Sequence, residues 1–526
     1  MNELQTLREL VLDGAELEAF LATLQTQPRP DQYQRIGALF QVASKVVGLL
    51  EGKDLSIARL RQLVFGARTE SARNLCGGPI NEPKPGKRPG HGRRSQQSYT
   101  GARRIRVAHV AYQAGQECPK CRRGKLRSQR QPATAVHLSA QPPVGALIHE
   151  MERLRCQTCG EVYTAATPPE AALEKYAPSV GVLVGMMRYG SGVPFYRLER
   201  MQESVGVPLP ASIQWEQALR VGKVLKPVVD QLIYLGAQSA VFFSDDTTMR
   251  ILRVRQQIQA EIRPKRTGIF TTGIVCEGTG NDPTIQLFFT GRQHAGENLS
   301  QVLARRKADL PTPLHMCDGL PQNDPKGYPT QSCHCVVHAR RGFVEIQEAF
   351  PEECQFVVEC FSEVYRVEAA CQKDHLTPAQ RLHRHQVSSQ PVMERLKSWC
   401  QDKLDGKKVE PNSGLGDAMD YMLKRWETLT CFLRVEGAPL DNNVTERLLK
   451  SSILHRKNSL HYRTTRGAEV GDRFMSVIQT CRANGVNPFD YMVALMNNSQ
   501  GVQSDPAQWM PWNYQETLAK ANSPSG

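Results

Sequence analysis

Two acidic residues, Asp245 and Asp246, interrupt a run of apolar and β-branched residues that reads FFSDDTTMRIL at positions 242–252. Burying a carboxylate is costly unless a partner compensates its charge. Another acid, Asp318, ends a short apolar run in PLHMCDG, and Glu446 opens a helical pattern in LDNNVTERLLK. Carboxylates that lie close together repel one another unless a cation lies between them. Mg²⁺ prefers carboxylate oxygens and supports phosphodiester chemistry, so these residues predict a site for divalent ions.

The elements around these acids predict an RNase H-like α/β/α catalytic core. The runs AVFFSDDTTM, ILRVR, TGIFTTGIVC and TIQLFFTG are short, apolar or β-branched, and parted by turn residues, which indicates a three-stranded antiparallel meander. We expect a helix over about 296–308 and then a fourth strand that ends at Asp318. In an RNase H-like fold the first and fourth strands lie side by side in parallel, so Asp245 and Asp318 would be neighbours.

Glu446 is the candidate for a third acid, although its position also permits a structural role. The segment Asn443–Glu446 has the spacing of a capping box, in which the glutamate would only bind backbone N–H groups. The gap of 128 residues between Asp318 and Glu446 is longer than a bare RNase H-like core needs. Helical patterns such as PVMERLKSW and AMDYMLKRWETLTCFL predict a helical insertion at about 345–435. Asp246 should point to the opposite face from Asp245, because adjacent strand residues alternate.

Cysteine spacing predicts a structural zinc ion. Two CxxC pairs are separated by 34 residues of strand-like sequence. Four thiolates at this spacing can close a tetrahedral zinc ribbon, and two matched pairs disfavour a redox motif. The four expected zinc ligands are Cys118, Cys121, Cys156 and Cys159. Three further potential metal ligands are Cys333, Cys335 and His338, for which packing or a DNA-facing role is the preferred interpretation. A weaker alternative for the second acid is Asp324.

The positive charge of the chain is concentrated in one segment. The net charge is +14, and residues 81–130 contain 14 Lys and Arg against two acids. A basic segment of this kind indicates a polyanionic partner, most often nucleic acid, although a solvated linker without a partner has the same composition. Arg456 and Lys457 could contact phosphate or could simply be solvated surface cations. The candidate DNA-binding residues are Lys87, Arg88, Arg93, Arg94, Arg447, Arg456 and Lys457.

The remaining patterns divide the chain into several regions. Leucine-rich helical spacing over residues 3–24 would suit dimerisation, and the helices predicted over about 33–50 and 55–65, parted by a turn that contains glycine, fit either a helix-turn-helix or an ordinary helical hairpin. No apolar run is long enough for a membrane span and the N-terminus lacks a secretory layout, so we expect a cytoplasmic protein with reduced cysteines. The expected regions are an N-terminal helical region (1–76), a basic linker (77–107), the zinc ribbon (108–170), a helical linker domain (171–236), the catalytic domain (237–500) and a C-terminal tail (501–526).

Several segments together resemble the DDE transposases of the IS66 insertion-sequence family, and the resemblance covers about residues 55–495. Asp245, Asp318 and Glu446 lie at the positions of that family's three catalytic acids. Asp246 and Leu320 depart from the pattern, which usually has Glu and Tyr there, and an unusual PQNDP loop follows. The matching segments are LVFGARTES (63–71), both CxxC pairs, KY (175–176), VPFYRL (193–198), SDDT (244–247), CDG (317–319), CVVHARR (335–341), LDNNVTER (440–447) and RKN (456–458).

This resemblance implies a transposase of an insertion sequence. Such an enzyme would bind the ends of its element and use two Mg²⁺ or Mn²⁺ ions at the three acids to cleave and join DNA. The N-terminal helices, the basic linker and the zinc ribbon would hold DNA in a homo-oligomeric complex, with accessory proteins of the same element as further candidate partners. Two alternatives are a DNA-binding or regulatory derivative that has lost catalysis, and an RNase H-like nuclease without strand transfer.

Overall fold

The computed structural model describes residues 111, 113–127, 143–155, 162–166, 169, 174–261, 266–280 and 282–522. The N-terminal helical region and the basic linker expected from the sequence lie outside these residues. Within the described residues, no helix is both long and apolar enough to cross a membrane.

The described part of the chain is a mixed α/β structure in which helices predominate. Its strands are β1 (Arg153–Arg155), β2 (Val162–Thr164), β3 (Val241–Thr248), β4 (Phe270–Glu277), β5 (Ile285–Gly291), β6 (Leu314–Cys317) and β7 (Gln331–His334). The helices before β7 are α1 (Pro178–Gly185), α2 (Phe195–Ser204), α3 (Ala211–Gly236), α4 (Leu252–Ala260) and α5 (Ala295–Leu303). The later helices are α6 (Val336–Glu345), α7 (Pro351–Lys373), α8 (Pro378–Ser388), α9 (Gln390–Asp405), α10 (Gly414–Lys424), α11 (Trp426–Leu429), α12 (Asn443–Ser459), α13 (Thr465–Ala483), α14 (Pro488–Asn497), α15 (Ser499–Ser504) and α16 (Tyr514–Asn522).

Five strands form the central sheet, in the order β5-β4-β3-β6-β7. The first three strands pair antiparallel, whereas β6 pairs parallel to β3 and β7 parallel to β6. Strand β3 is therefore central, and its Phe242 and Phe243 are almost fully buried. The chain order is thus three antiparallel strands, helix α5, and a strand parallel to the first, as the hydrophobic pattern predicts.

The outer edge of β5 is covered by side chains of α13 rather than by another strand. Three positions along α13 and the residue directly after it, each four residues apart, accept hydrogen bonds from alternate backbone N–H groups of β5 and the residue before it. Four helical residues advance about 6.0 Å and two strand residues about 6.6 Å, so the two rows stay in step. This arrangement satisfies the open edge of the sheet. The pairs are Asp472 with Thr290 (2.7 Å), Ser476 with Phe288 (2.9 Å), Thr480 with Gln286 (3.0 Å) and Asn484 with Thr284 (3.1 Å).

The prediction that ILRVR belongs to the strand-like runs is wrong. Helix α4 begins at Leu252, inside this run, and Ile251 forms only an isolated bridge to Tyr462. Ile251 and Ile258 are buried and Val254 packs against the core. Their spacing of three and four residues is helical, and it outweighs the strand preference of the β-branched residues.

The segment between β7 and α12 is helical, as its sequence patterns predict. Helices α7 to α11 lie there. The run PVMERLKSW falls within α9, and the run AMDYMLKRWETLTCFL spans α10, α11 and the short 3₁₀ turn Cys431–Leu433.

The aromatic residues of the C-terminal segment pack back onto the body of the protein. Trp509 and Tyr514 are buried, and the Tyr491 hydroxyl donates a 2.6 Å hydrogen bond to the Trp509 carbonyl.

Candidate active site

The parallel pairing of β3 and β6 brings Asp245 and Asp318 to the same end of the sheet. Val241 pairs with Leu314 and Phe243 with Met316, so paired residues differ in number by 73. Asp318 also follows Asp245 by 73 residues and directly follows the last residue of β6. Because directly opposed residues of neighbouring strands point to the same face, the two carboxylates project from the same side of the sheet.

The loop after β6 fixes the Asp318 carboxylate. Its Oδ1 accepts hydrogen bonds from the Leu320 N–H (3.0 Å) and from the Asn323 side-chain amide (2.7 Å). Gly319 has φ +81°, and a Cβ there would lie 2.9 Å from Nδ1 of His334. A glycine is therefore required directly after Asp318, for both its backbone conformation and the space. The Tyr421 hydroxyl donates to the Asp318 carbonyl at 3.0 Å, so α10 also supports this loop.

Helix α12 carries Glu446, and its first turn is attached to the centre of the sheet. Asn442, the residue before the helix, donates from its side chain to the Ser244 carbonyl (3.0 Å) and from its backbone to the Cys335 sulfur (3.3 Å). Ser244 directly precedes Asp245, so the start of α12 is fixed beside the strand that carries the first acid. Asn442 is fully buried, which makes both hydrogen bonds important for the placement of the helix.

Gly273 allows α12 to approach the sheet closely at the level of Asp245. Gly273 on β4 is the antiparallel partner of Asp245. A Cβ at this position would lie 3.1 Å from Leu449 and 3.3 Å from Leu448, one turn beyond Glu446. The contact places the first turns of α12 over the face of the sheet from which Asp245 projects.

The capping role considered for Glu446 is not what the structure shows. Asn442 is the N-cap of α12, one residue earlier than the sequence pattern predicts, and the helix has no side-chain cap hydrogen bond. The Glu446 carboxylate instead lies 4.0 Å from the Arg341 guanidinium of α6 and is about one-third exposed. Glu446 is thus available to take part in the acidic cluster formed with Asp245 and Asp318.

The three acids interact electrostatically. Burial, together with the negative charges of Asp318, Asp246 and Glu446, raises the pKa of the Asp245 carboxyl to about 7, although a hydrogen bond from the Asp246 N–H acts in the opposite direction. A buried carboxylate with acidic neighbours is a position that a divalent cation would stabilise. Within the described residues, the three acids do not have oxygens that all lie within 4.8 Å of one another. That wider spacing is compatible with a pair of ions, which are typically about 3.5–4 Å apart.

Asp246 has a separate structural role on the opposite face of β3. Its Oδ2 accepts from the Ala295 backbone N–H at 2.9 Å and contacts His294 Nδ1 at 3.2 Å, and its Oδ1 accepts from the Thr272 hydroxyl. A carboxylate at the N-terminus of α5 also interacts favourably with the helix dipole. The alternation of strand residues predicts the opposite orientation of Asp246, but the bonds to α5 were not predictable from local spacing.

A comparison with known families identifies the family of the chain. The family model described as "Transposase IS66 family" matches residues 175–470. The chain belongs to the IS66 transposase family. The matched segment contains Asp245, Asp318 and Glu446, and membership of a transposase family implies DNA as the partner.

Two similar proteins, both from Sinorhizobium fredii, carry no functional description. "Uncharacterized protein y4hP" is 23% identical over 390 residues, which cover 70% of this chain and 68% of y4hP. "Uncharacterized protein y4jD" is 23% identical over 374 residues, which cover 69% of this chain and 71% of y4jD.

The basic residues of α12 differ in how they are held in this IS66-family chain. Arg447 and Lys457 are exposed. The Arg456 guanidinium instead binds β3, at the Thr247 hydroxyl (3.2 Å), the Thr248 hydroxyl (2.6 Å) and the Thr248 carbonyl. Arg456 therefore joins the far end of α12 to the strand that carries Asp245. The other candidate DNA-binding residues, Lys87, Arg88, Arg93 and Arg94, lie outside the described residues.

The first half of the zinc ribbon expected in this IS66-family protein is a tight turn. The Cys118 N–H donates to the Gly124 carbonyl (2.7 Å), and Glu117 forms an antiparallel bridge with Lys125. Hydrogen bonds from the Arg123 and Gly124 N–H groups, and then one from Cys118, lower the pKa of the exposed Cys121 thiol. N–H groups directed at a cysteine sulfur favour the thiolate that zinc requires.

The second CxxC pair lies between two paired strands. Cys156 and Cys159 lie outside the described residues. The described strands β1 and β2 flank them and pair antiparallel, with Arg155 opposite Val162.

The weaker metal candidates fall into two groups. In the described part of the chain, Cys333, Cys335 and His338 do not form a three-ligand cluster. Cys335 instead accepts the hydrogen bond from Asn442 that fixes α12. Asp324 lies with His315 and Cys317, one ligand atom of each being within 4.8 Å of the other two. Asp324 is therefore associated with a different cluster from the one that contains Asp245.

Proposed function

We propose that this chain is a DDE transposase that cleaves and joins DNA at an RNase H-like core. The observation that carries the proposal is the relation between the two parallel strands and α12. One register aligns Asp318 with Asp245, and the buried Asn442 fixes the helix of Glu446 beside the same strand. Residues from three distant parts of the sequence thus supply carboxylates to one region, within a family of transposases.

Asp245, Asp318 and Glu446 would hold two Mg²⁺ or Mn²⁺ ions. Their oxygen chemistry fits these ions, and burial together with acidic neighbours keeps the pKa of Asp245 near 7, a charge conflict that cations relieve. When bound, such ions stabilise the attacking and leaving oxygens of a phosphodiester displacement. The contribution of the protein is to hold the three carboxylates in place: Asn323 and the Leu320 N–H orient Asp318, and Gly273 admits the helix of Glu446.

The proposed reaction has two steps at the end of the element. Water adds to the phosphorus and the bond from phosphorus to the 3′-oxygen breaks, which leaves a 3′-hydroxyl and a 5′-phosphate. That hydroxyl then attacks a target phosphodiester, so that a new bond to phosphorus forms as a target 3′-oxygen leaves. Each step exchanges one phosphorus–oxygen bond for another, and no covalent intermediate with a protein side chain is needed.

The other parts of the chain would hold the DNA. The exposed Arg447 and Lys457 on α12 are suited to phosphate contacts near the carboxylates. Cys118, Cys121, Cys156 and Cys159 would bind one structural Zn²⁺, for which the N–H groups directed at Cys121 are a fitting environment. The basic linker would bind element ends, and paired ends would require a homo-oligomer. Accessory proteins of the same element are further candidate partners.

Alanine substitution of the acids tests the proposal directly. In a joining assay on DNA with the ends of the element, Asp245→Ala, Asp318→Ala and Glu446→Ala should each abolish Mg²⁺-dependent cleavage and strand transfer. Binding of end DNA, measured by gel shift, should persist. Asp420→Ala is the matched control, because Asp420 is an acid that is about half exposed and pairs only with the neighbouring Lys424. Unchanged joining in all three variants would refute the proposal.

The same assay separates the two alternatives. A wild-type chain that binds ends but never nicks them, with either Mg²⁺ or Mn²⁺, would be a DNA-binding derivative without catalysis. A chain that cuts DNA and yields no joined products would be a nuclease of the same fold. Only joined products that depend on all three acids support a transposase.

A further inference from the structure

A second cluster of metal-ligating side chains lies beneath the strand that leads to Asp318. One ligand atom each of His315, Cys317 and Asp324 lies within 4.8 Å of the other two. His315 and Cys317 are two residues apart on β6, so their side chains lie on the same face of the strand, and Asp318 projects from the other face. His315 and Cys317 therefore lie on the opposite face of the sheet from Asp245 and Asp318, although the charge of Asp318 still acts on Cys317 and Asp324.

The hydrogen bonds of this cluster leave ligand atoms without partners. His315 is fully buried, and its Nε2 is 2.8 Å from the Ser244 hydroxyl. Its Nδ1 is buried and has no hydrogen-bond partner, and the same is true of Asp324 Oδ1. Buried polar atoms without partners are costly, and each one requires an explanation. Two such atoms beside a buried thiol are explained if all three side chains bind one ion.

The environment of His315 matches that of a metal-binding histidine. Such residues usually donate the N–H of the other ring nitrogen to a nearby acceptor, which fixes the tautomer and the ring orientation. Ser244 can accept from Nε2 in this way, which leaves the lone pair of the buried, unpartnered Nδ1 available to an ion. Burial lowers the pKa of His315 to about 4, so the imidazole is neutral at neutral pH.

We propose that His315, Cys317 and Asp324 form a transition-metal site, best suited to Zn²⁺, that is distinct from both the zinc ribbon and the catalytic carboxylates. Nitrogen, sulfur and carboxylate oxygen together are the donors that Zn²⁺ uses, whereas Mg²⁺ avoids thiolate. A tetrahedral Zn²⁺ would hold these atoms roughly 3.3–3.8 Å apart, so a modest contraction of the cluster completes the site. Three protein ligands leave the fourth position for water.

The site would control the loop that positions the catalytic Asp318. Cys317 directly precedes Asp318, and Asp324 directly follows Asn323, whose amide donates to the Asp318 carboxylate. An ion bound to Cys317 and Asp324 therefore fixes both ends of this short loop. The loop also lies close against α5, because a Cβ at Gly296 would overlap the Asp324 carbonyl oxygen. The ligand Asp324 belongs to the PQNDP segment that departs from the family pattern.

Cobalt titration of the full-length chain tests this site. Co²⁺ replaces Zn²⁺ and gives a near-ultraviolet charge-transfer band only where a cysteine sulfur binds it. Excess Mg²⁺ in the buffer keeps the catalytic carboxylates from contributing. The wild type should bind two Co²⁺ per chain with thiolate bands, one at the ribbon and one at this cluster. The Cys317→Ser variant should bind one Co²⁺ per chain and lose the part of the charge-transfer band that arises from the Cys317 sulfur.

Three further variants keep the test decisive. Cys276→Ser replaces a buried cysteine of β4 in the same sheet, and it should still bind two Co²⁺. Asp324→Asn keeps the size of a partly exposed side chain and should weaken the second equivalent at least about tenfold, since even outer-shell changes cost that much. In the chain with Ser at Cys118, Cys121, Cys156 and Cys159, one thiolate-bound Co²⁺ should remain.

Hydrogen exchange supplies a readout that does not depend on colour. Zn²⁺ should slow exchange of the Leu320 N–H, which donates to Asp318, in the wild type and not in Cys317→Ser. A wild-type chain that binds only one thiolate-bound ion, and keeps it in Cys317→Ser, would overturn the proposal. An undiminished second equivalent in Cys317→Ser would overturn it equally. Neither result bears on the three acids, whose test is DNA joining.

Discussion

Replacing Asp245 by Asn should stabilise the metal-free protein at alkaline pH, although it should abolish DNA joining. Asp245 is partly buried and faces Asp318 and Glu446, so its charged form is disfavoured in the folded state. Asparagine has nearly the same shape, keeps a carbonyl oxygen for the Asp246 N–H, and carries no charge. The variant therefore removes electrostatic repulsion while leaving the packing of β3 unchanged.

The size and sign of the effect follow from the pKa of Asp245. Burial and then its acidic neighbours raise this pKa from 3.8 to about 7 in the folded chain. Between these values the folded state holds a proton that the unfolded state has lost, so the free energy of unfolding falls as pH rises. At roughly 1.36 kcal/mol for each pH unit, the ceiling is about 4 kcal/mol above pH 7. We expect Asp245→Asn to gain about 2–4 kcal/mol at pH 8 and almost nothing below pH 4.

Urea unfolding in EDTA, from pH 4 to pH 8, measures this difference. Asp420→Asn is the control, because this acid is about half exposed on α10 and should show no comparable gain. Adding Mg²⁺ should stabilise the wild type, by about 2.7 kcal/mol at a concentration one hundred times the dissociation constant, and should stabilise Asp245→Asn much less. Equal or lower stability of Asp245→Asn at pH 8 in EDTA would show that the three carboxylates are not crowded.

Four further changes test how the site is supported and how it contacts DNA. Asp246→Ala should have the opposite effect from Asp245→Asn, a loss of about 1–3 kcal/mol in urea unfolding, because α5 loses a charged acceptor at its N-terminus. Gly273→Val should reduce joining and cost about 1–3 kcal/mol of stability by pushing the helix of Glu446 outward, with end binding in a gel shift unchanged. Arg456→Ala should lower stability by about 1–2 kcal/mol, because it breaks the bonds to β3. Lys457→Ala should instead reduce the salt dependence of DNA binding by about one phosphate contact, measured from the slope of affinity against salt.

Sequence patterns predict four of the five strands of the central sheet, because these four are short, apolar or β-branched and separated by turn residues, but they miss β7 (Gln331–His334). They predict that β3 and β6 are adjacent, and from that adjacency the proximity of Asp245 and Asp318. The pattern in ILRVR is ambiguous, because β-branched residues favour strands while their spacing here fits one face of a helix. Such a conflict is resolved by tertiary packing, here the burial of Ile251 and Ile258, which local sequence does not contain.

Contacts between distant segments could not be predicted from spacing. Asn442 reaches the Ser244 carbonyl across 198 residues, and the capping-box pattern around it predicts a different N-cap. The row of α13 side chains along β5 has a visible signal, since Asp472, Ser476, Thr480 and Asn484 are four polar residues at every fourth position. The helical pattern alone would assign this polar stripe to solvent, whereas the structure uses it to cover the edge of the sheet.

The two adjacent aspartates of β3 show that residues of one motif can lie on opposite faces of a sheet and therefore have different roles. Asp246 is compensated within the fold by Thr272, His294 and the N-terminus of α5, so its charge needs no further partner. Asp245 receives one backbone N–H and otherwise faces two more acids, so its charge is compensated only when a cation is added. The same side chain thus stabilises a helix on one face and, within the described residues, carries a charge without a protein cation beside it on the other. The residues that make the difference are those contributed by α5 and α12, which lie far from the motif in the sequence.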